Sequence, residues 1–243
     1  MNPAIQIGMP LGAAAVAALG YATVWPSAQL WGPAVWRGPR NSNRVAITFD
    51  DGPTSGSTER VLDELQKHRV PATFFAIGQN VENAPEVLRR IDAEGHLVGN
   101  HTFSHSHYGV LRGSRFWECE LTQTDDAIES ILHKRPTFFR PPLGAKSCFV
   151  VGAAQRRQLQ LVTWSLRAID GVPTTTDRIM RRFANVRGGD ILVLHDGADP
   201  RVPHRDRSTA ANVIEPLVKL LRERNLEPVR LDSLLSATNQ PAQ

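Results

Sequence analysis

Thr48-Phe49-Asp50-Asp51-Gly52-Pro53 places two adjacent carboxylates directly after an apolar run, Val45 to Phe49, whose β-branched and aromatic content predicts a buried strand. A strand that meets Asp-Gly-Pro must turn at once, because glycine permits positive φ and proline cannot continue the ladder. The two carboxylates are therefore expected on a short, stiff loop. Like charges held so close cost energy unless a cation or a proton separates their roles, so the pair suits a metal ligand beside a general base. A solvated Asp-Asp turn is the plain alternative, and the hexapeptide alone leaves both open.

Outward from this turn, short β-branched or aromatic runs alternate with amphipathic segments from Asn43 onward. Strands are predicted at Val45-Phe49, Ala72-Ile77, His96-Asn100, Thr137-Phe139, Leu159-Trp164, Ile191-Leu194 and Pro228-Leu231. Helices are predicted over 58–68, 85–94, 115–132, 176–186 and 210–224, with Pro85 suited to a first helical turn and Gly188 to a stop. About seven such repeats argue for an α/β fold with a closed or nearly closed (β/α) barrel of parallel strands. A doubly wound open sheet is the alternative, but no Gly-rich phosphate loop follows the first strand. With no internal repeat, residues 41–239 read as one domain.

At 243 residues, 41% hydrophobic and 21% charged, the chain can bury one large core. Its net charge of +4 comes largely from scattered arginines, among them Arg178, Arg181, Arg182 and Arg187 in and just after one predicted helix. The basic residues are not interleaved with aromatics in a recognisable module, so no nucleic-acid partner is expected, and a monomer is. Cys119 and Cys148 lack metal-ligand spacing and are expected as buried free thiols.

Residues 1–40 form a separate hydrophobic segment: Asn2 to Trp36 carries no charge, and Ile5 to Val24 is long and apolar enough to span a bilayer. A membrane anchor is the first reading, a signal peptide the second, and an arm packed on the domain the third. Arg37, Arg40 and Arg44 follow the segment, which by the positive-inside rule favours a cytoplasmic domain.

The chemical residues recur after predicted strands. His101 and His105, four apart as in a helical turn, can reach one ion together with a carboxylate of the Asp pair. His107 is out of phase with them. Arg140-Pro141-Pro142-Leu143-Gly144 forms a stiff loop able to fix an arginine and a backbone N–H. Asp170 follows Leu161-Trp164, and His195 ends the run Ile191-Leu194. All five clusters fall at strand carboxyl ends, the face on which barrel enzymes assemble their sites.

In these motifs and their order the chain resembles the polysaccharide deacetylases, carbohydrate esterase family four, over Asn43 to Leu235. The resemblance implies a distorted (β/α) barrel that removes N-acetyl groups from amino sugars of a polysaccharide or lipid-linked glycan, with a divalent metal, Zn foremost and Co, Ni or Mn as alternatives. By position it implies Asp51, His101 and His105 as metal ligands, Asp50 as general base and His195 as general acid. It further implies that Arg140 orients the base and Asp170 pairs with the acid, with Pro142, Leu143, Gly144 and Trp164 on the substrate side. The family's usual setting implies an anchored, envelope-facing enzyme, against the direction of the flanking arginines. Three residues depart from the family's usual pattern: Leu143 replaces a Tyr, Arg167 an acid, and Gly171 a Trp that helps wall the acyl pocket. Other readings of the same residues are a deacylase of a small or lipid-linked amide and a non-catalytic glycan-binding protein.

Overall fold

The computed structural model describes residues 16–201 and 208–236. Its centre is the predicted first strand, β1 (Arg44–Asp50), buried from Val45 onward. On one side β1 pairs with β2 (Thr73–Ala76), and from there the sheet runs through β3 (Leu97–Asn100) and β4 (Phe138–Phe139) to β5 (Gln160–Leu161). On the other side it pairs with β7 (Ile191–His195), which carries β6 (Leu166–Arg167). Lower on β1, β8 (Glu227–Val229) adds through Arg44, Val45 and Ala46. All of these pairings are parallel. The result is the expected α/β barrel in distorted form: a curled sheet, open between β5 and β6.

Parallel strands need crossovers, and helices supply them. α2 (Ser57–His68), α4 (Pro85–Ala93), α5 (Ser114–Leu132), α7 (Thr176–Phe183) and α8 (Ser208–Glu223) fall where periodicity predicts them. In α2, Val61, Leu62 and Leu65 form the buried stripe, and Pro85 opens α4. Three short helices, α3 (Gly78–Asn83), α6 (Cys148–Arg156) and α9 (Leu231–Ser236), and strand β6 lie outside the predicted elements. Of the predicted strand 159–164 only β5 forms a ladder, extended by Val162 N–H donating to Phe139 O at 2.8 Å. Its continuation bends, and Thr163 instead donates its N–H to Val35 O at 2.7 Å.

The cysteines correct an expectation. Both are free thiols but exposed. Cys119 sits off the buried stripe of α5, which uses Trp117, Glu120 and Leu121, and Cys148 is the first residue of α6.

Of the predicted span 5–24, residues 5–15 lie outside the described residues. Residues 16–24 are helical (α1), with Val16, Leu19, Tyr21 and Val24 exposed. Among the described residues no helix is long and apolar enough to cross a membrane. The chain that follows is built into the barrel. Val35 bridges to Val162 in parallel and Arg37 to Asp190 in antiparallel fashion, so residues 35–37 reach across the open side. Lys146, fully buried, donates from Nζ to Trp25 O at 2.6 Å and Pro26 O at 3.1 Å.

Candidate active site

β1 delivers Asp50 as its last residue, and Asp51 then takes φ 76°, turning the chain within one residue. The left-handed position is thus Asp51, where the sequence had suggested Gly52. Gly52 is needed for space, because a Cβ there would sit 2.2 Å from Asp196 Oδ2. Both carboxylates are buried. Beneath Asp50 lies Arg140, fully buried, with Nη1 donating to Asp50 Oδ1 at 2.7 Å and Thr48 Oγ1 at 2.8 Å, and Nη2 to Thr163 O at 2.9 Å. Its guanidinium covers the Phe75 ring at 4.1 Å. A buried ion pair needs hydrogen bonds to offset its desolvation, and the three from the two Nη atoms, with Nε alone unpaired among the described residues, hold Asp50 in one orientation.

The histidine loop after β3 is not helical, contrary to the helical-turn reading. Thr102 and His105 both have positive φ, at 69° and 51°. The loop is pinned instead by side chains: Asn100 Oδ1 accepts from Thr102 N at 2.8 Å, and Glu120 accepts from Phe103 N, Ser104 N and Ser104 Oγ. The two imidazoles still converge, with ring centroids 4.9 Å apart. His101 Nδ1 lies 2.7 Å from Arg140 O, and since a carbonyl only accepts, that nitrogen carries the hydrogen. His105 Nδ1 lies 3.1 Å from Asp199 Oδ2. Each ring therefore presents Nε2 to Asp51 Oδ1, at 3.5 Å from His101 and 3.2 Å from His105. Burial pushes the Asp51 carboxyl up, but His101, His105 and His195 outweigh it and hold it well below the usual carboxylate range. One carboxylate and two imidazoles with occupied Nδ1 positions, their donor atoms within 4.8 Å of one another, fit a first-row divalent metal.

Asp199 was not foreseen as a site residue. Arg201 clamps it, Nε to Oδ1 at 2.9 Å and Nη2 to Oδ2 at 2.7 Å, and His107 Nε2 lies 3.2 Å from Oδ2. His107 is thus a partly exposed neighbour of the pair. The only sequence signal was the position of Asp199 in the loop after His195, within the stretch 197–205 that precedes the predicted helix 210–224. Residues 202–205 of that stretch lie outside the described residues.

Across the sheet, Asp170 Oδ1 lies 2.7 Å from His195 Nδ1, and Oδ2 accepts from His195 N at 2.9 Å. Burial works against the imidazolium, but Asp170 outweighs it, and the His195 pKa is raised to about 9. His195 is the register partner of Asp50.

A cavity of about 320 Å³ joins Asp50, Asp51, His101, His105 and His195 with Leu143 and Trp164. Pro142 and Gly144 do not line it. Pro142 is buried at the start of a tight turn, and Gly144, at φ 66°, lets Trp164 approach so closely that a Cβ would meet the indole at 2.6 Å. Leu143, also left-handed at φ 58°, is exposed, and its N–H donates no hydrogen bond among the described residues. Gly171 leaves open the space beside His195, with Ile169 and Val172 lining the wall.

Known proteins resemble this chain in sequence and fold. A family model described as polysaccharide deacetylase matches residues 37–162, a span that includes the Asp pair, both histidines and Arg140 and ends before Asp170 and His195. A peptidoglycan-N-acetylglucosamine deacetylase of Bacillus cereus is 32% identical over 210 residues, 84% of this chain and 93% of that one. The chain belongs to the polysaccharide deacetylase family. A chitooligosaccharide deacetylase of Bradyrhizobium is 39% identical over 157 residues, covering 64% of this polysaccharide deacetylase chain and 72% of the relative. Among solved structures, a peptidoglycan N-acetylglucosamine deacetylase crystallised with 4-naphthalen-1-yl-N-oxidanyl-benzamide matches with a TM-score of 0.78 at 28% identity, over 84% of this chain and 92% of that one.

Proposed function

We propose that this polysaccharide deacetylase homologue is a metal-dependent amidohydrolase that removes acetyl groups from N-acetylated amino sugars in a polysaccharide or lipid-linked glycan. The observation that carries the reading is the meeting of Asp50, held by Arg140, and His195, held by Asp170, at partner positions of β1 and β7 beside the Asp51-His101-His105 set. These three residues would hold a divalent ion, Zn foremost by its donor set, with Co, Ni or Mn as alternatives. When bound, it supplies a Lewis acid for the amide carbonyl.

The protein's own groups account for the proton movements. Asp50, fixed in direction by Arg140, takes the proton of the attacking water. Negative charge developing on the carbonyl oxygen is met by the Leu143 N–H. The Nε2 of His195 gives its proton to the leaving amine, while Nδ1 stays engaged with Asp170. Trp164, seated on Gly144, walls the acyl side, and the absent side chain at Gly171 widens it. The exposed apolar face of α1, continuing the uncharged stretch before it, supports membrane attachment, while an envelope-facing domain rests on the family resemblance alone, against Arg37, Arg40 and Arg44.

The test is acetate release from chitin oligomers and from peptidoglycan, before and after chelation. Release that stops on chelation and returns with Zn or Co supports the reading. Metal-loaded protein that frees no acetate from any acylated sugar overturns it.

A further inference from the structure

Beyond β6 the chain continues its alternation along the cavity. Leu166 and Ala168 pack into the helix-side core, whereas Arg167, Ile169 and Gly171 line the cavity with Val193 and His195. Arg167 is exposed, and its guanidinium lies 5.6 Å from the Trp164 ring. The other arginines of the site have carboxylate partners: Arg140 has Asp50, and Arg201 has Asp199. Among the described residues Arg167 has none, so its charge is turned to the cavity.

A neutral N-acetyl sugar offers nothing to neutralise such a group. A guanidinium held beside an aromatic ring offers a planar fork suited to the paired oxygens of a carboxylate or phosphate. Arg167 is the register partner of Val193, two residues before His195 on the neighbouring strand. Strand spacing and rise put the two backbone positions on the order of 8 Å apart. That separation places the anion on the reacting sugar or the one next to it.

We propose that Arg167 is a specificity determinant that recognises an oxyanion substituent, carboxylate or phosphate, on the substrate glycan beside the reacting N-acetyl group. This rests on the deacetylase reading above. A carboxylate would come from an acidic sugar of a polymer, a phosphate from a phosphorylated or lipid-linked glycan.

The experiment is calorimetric binding of three N-acetylated oligosaccharides of equal length, one neutral, one carboxylate-bearing and one phosphate-bearing, to the metal-loaded chain and to its Arg167→Gln variant. The unaltered chain is expected to bind one of the anionic oligomers about tenfold or more tighter than the neutral one, as a charge-assisted hydrogen bond allows. In Arg167→Gln that ratio falls to about one, and whichever anion gave the larger ratio identifies the source. Equal affinity for all three, or a preference that survives Arg167→Gln, overturns the proposal. Acetate release recorded on the same oligomers separates the two readings. Selective binding without release fails the deacetylase reading alone, and release without selectivity fails this one alone.

Discussion

Asp50 and His195 are register partners on β1 and β7, so the carboxylate and the imidazole stand side by side at the carboxyl end of the sheet. Each is oriented by a different buried group, Arg140 for Asp50 and Asp170 for His195. Neighbouring strands lie about 4.8 Å apart, which brings a base and an acid within reach of one scissile bond.

The His195 pair predicts a pH effect. Asp170 raises the His195 pKa to about 9, so the acid stays charged through neutrality. Asp170→Asn removes that support and should move the basic limb of kcat/KM to lower pH by about one unit or more. The sign for stability follows from the raised folded value. In the metal-free protein the contribution of the pair is full below about 6.5, the unfolded value, and is lost as pH rises through about 9. Denaturant unfolding from pH 6 to 10 should show this loss in the original chain and not in Asp170→Asn.

Asp199 predicts a metal effect. It holds the Nδ1 of His105 and is itself held by Arg201. Asp199→Ala should weaken Zn or Co binding by about 10- to 100-fold, the usual range for losing such a support. Competition with a chromophoric chelator measures it, and the Co(II) absorption spectrum should change as His105 loses its fixed orientation.

Gly144 predicts a steric effect. Its φ of 66° and the 2.6 Å approach of a Cβ to Trp164 leave no room for a side chain. Gly144→Ala should cost about 1–3 kcal/mol in urea unfolding, and displacement of the indole should lower kcat.

Lys146 predicts that residues before the barrel stabilise it. Its Nζ donates to Trp25 O and Pro26 O, and Pro26 O also accepts from Oγ1 of Thr163, the residue whose carbonyl accepts from Arg140 Nη2. Lys146→Met removes the charged donor from both carbonyls, leaving Ala28 N on Trp25 O and Thr163 Oγ1 on Pro26 O, and should cost about 1–3 kcal/mol by urea unfolding. Limited proteolysis should then cut first within residues 23–36.

The parts of the molecule legible in the sequence are those set by local pattern. Contiguous apolar runs announced β1, β2 and β7, and the stripe of Val61, Leu62 and Leu65 announced α2. β6 was not legible, because two residues carry no periodicity and their pairing depends on β7. The convergence of His101 and His105 was legible from spacing, but its cause was not. Left-handed residues and the distant Glu120 shape that loop, where a helical turn had been expected. Asp199 and Arg201 escaped for the same reason, since their meeting with His105 depends on the path of a loop in space. Gly52 and Gly144 were marked as turn residues, but which neighbour each admits, Asp196 or Trp164, only the packed structure reveals.

The division of labour within the Asp pair is the central claim, and paired variants test it most directly. Bound metal and acetate release are measured together on Asp50→Asn and His101→Ala. The expected result is that Asp50→Asn keeps its metal and loses turnover by about 10²- to 10⁴-fold, whereas His101→Ala loses both. Turnover preserved in metal-loaded Asp50→Asn, or full metal retention in His101→Ala, would contradict it.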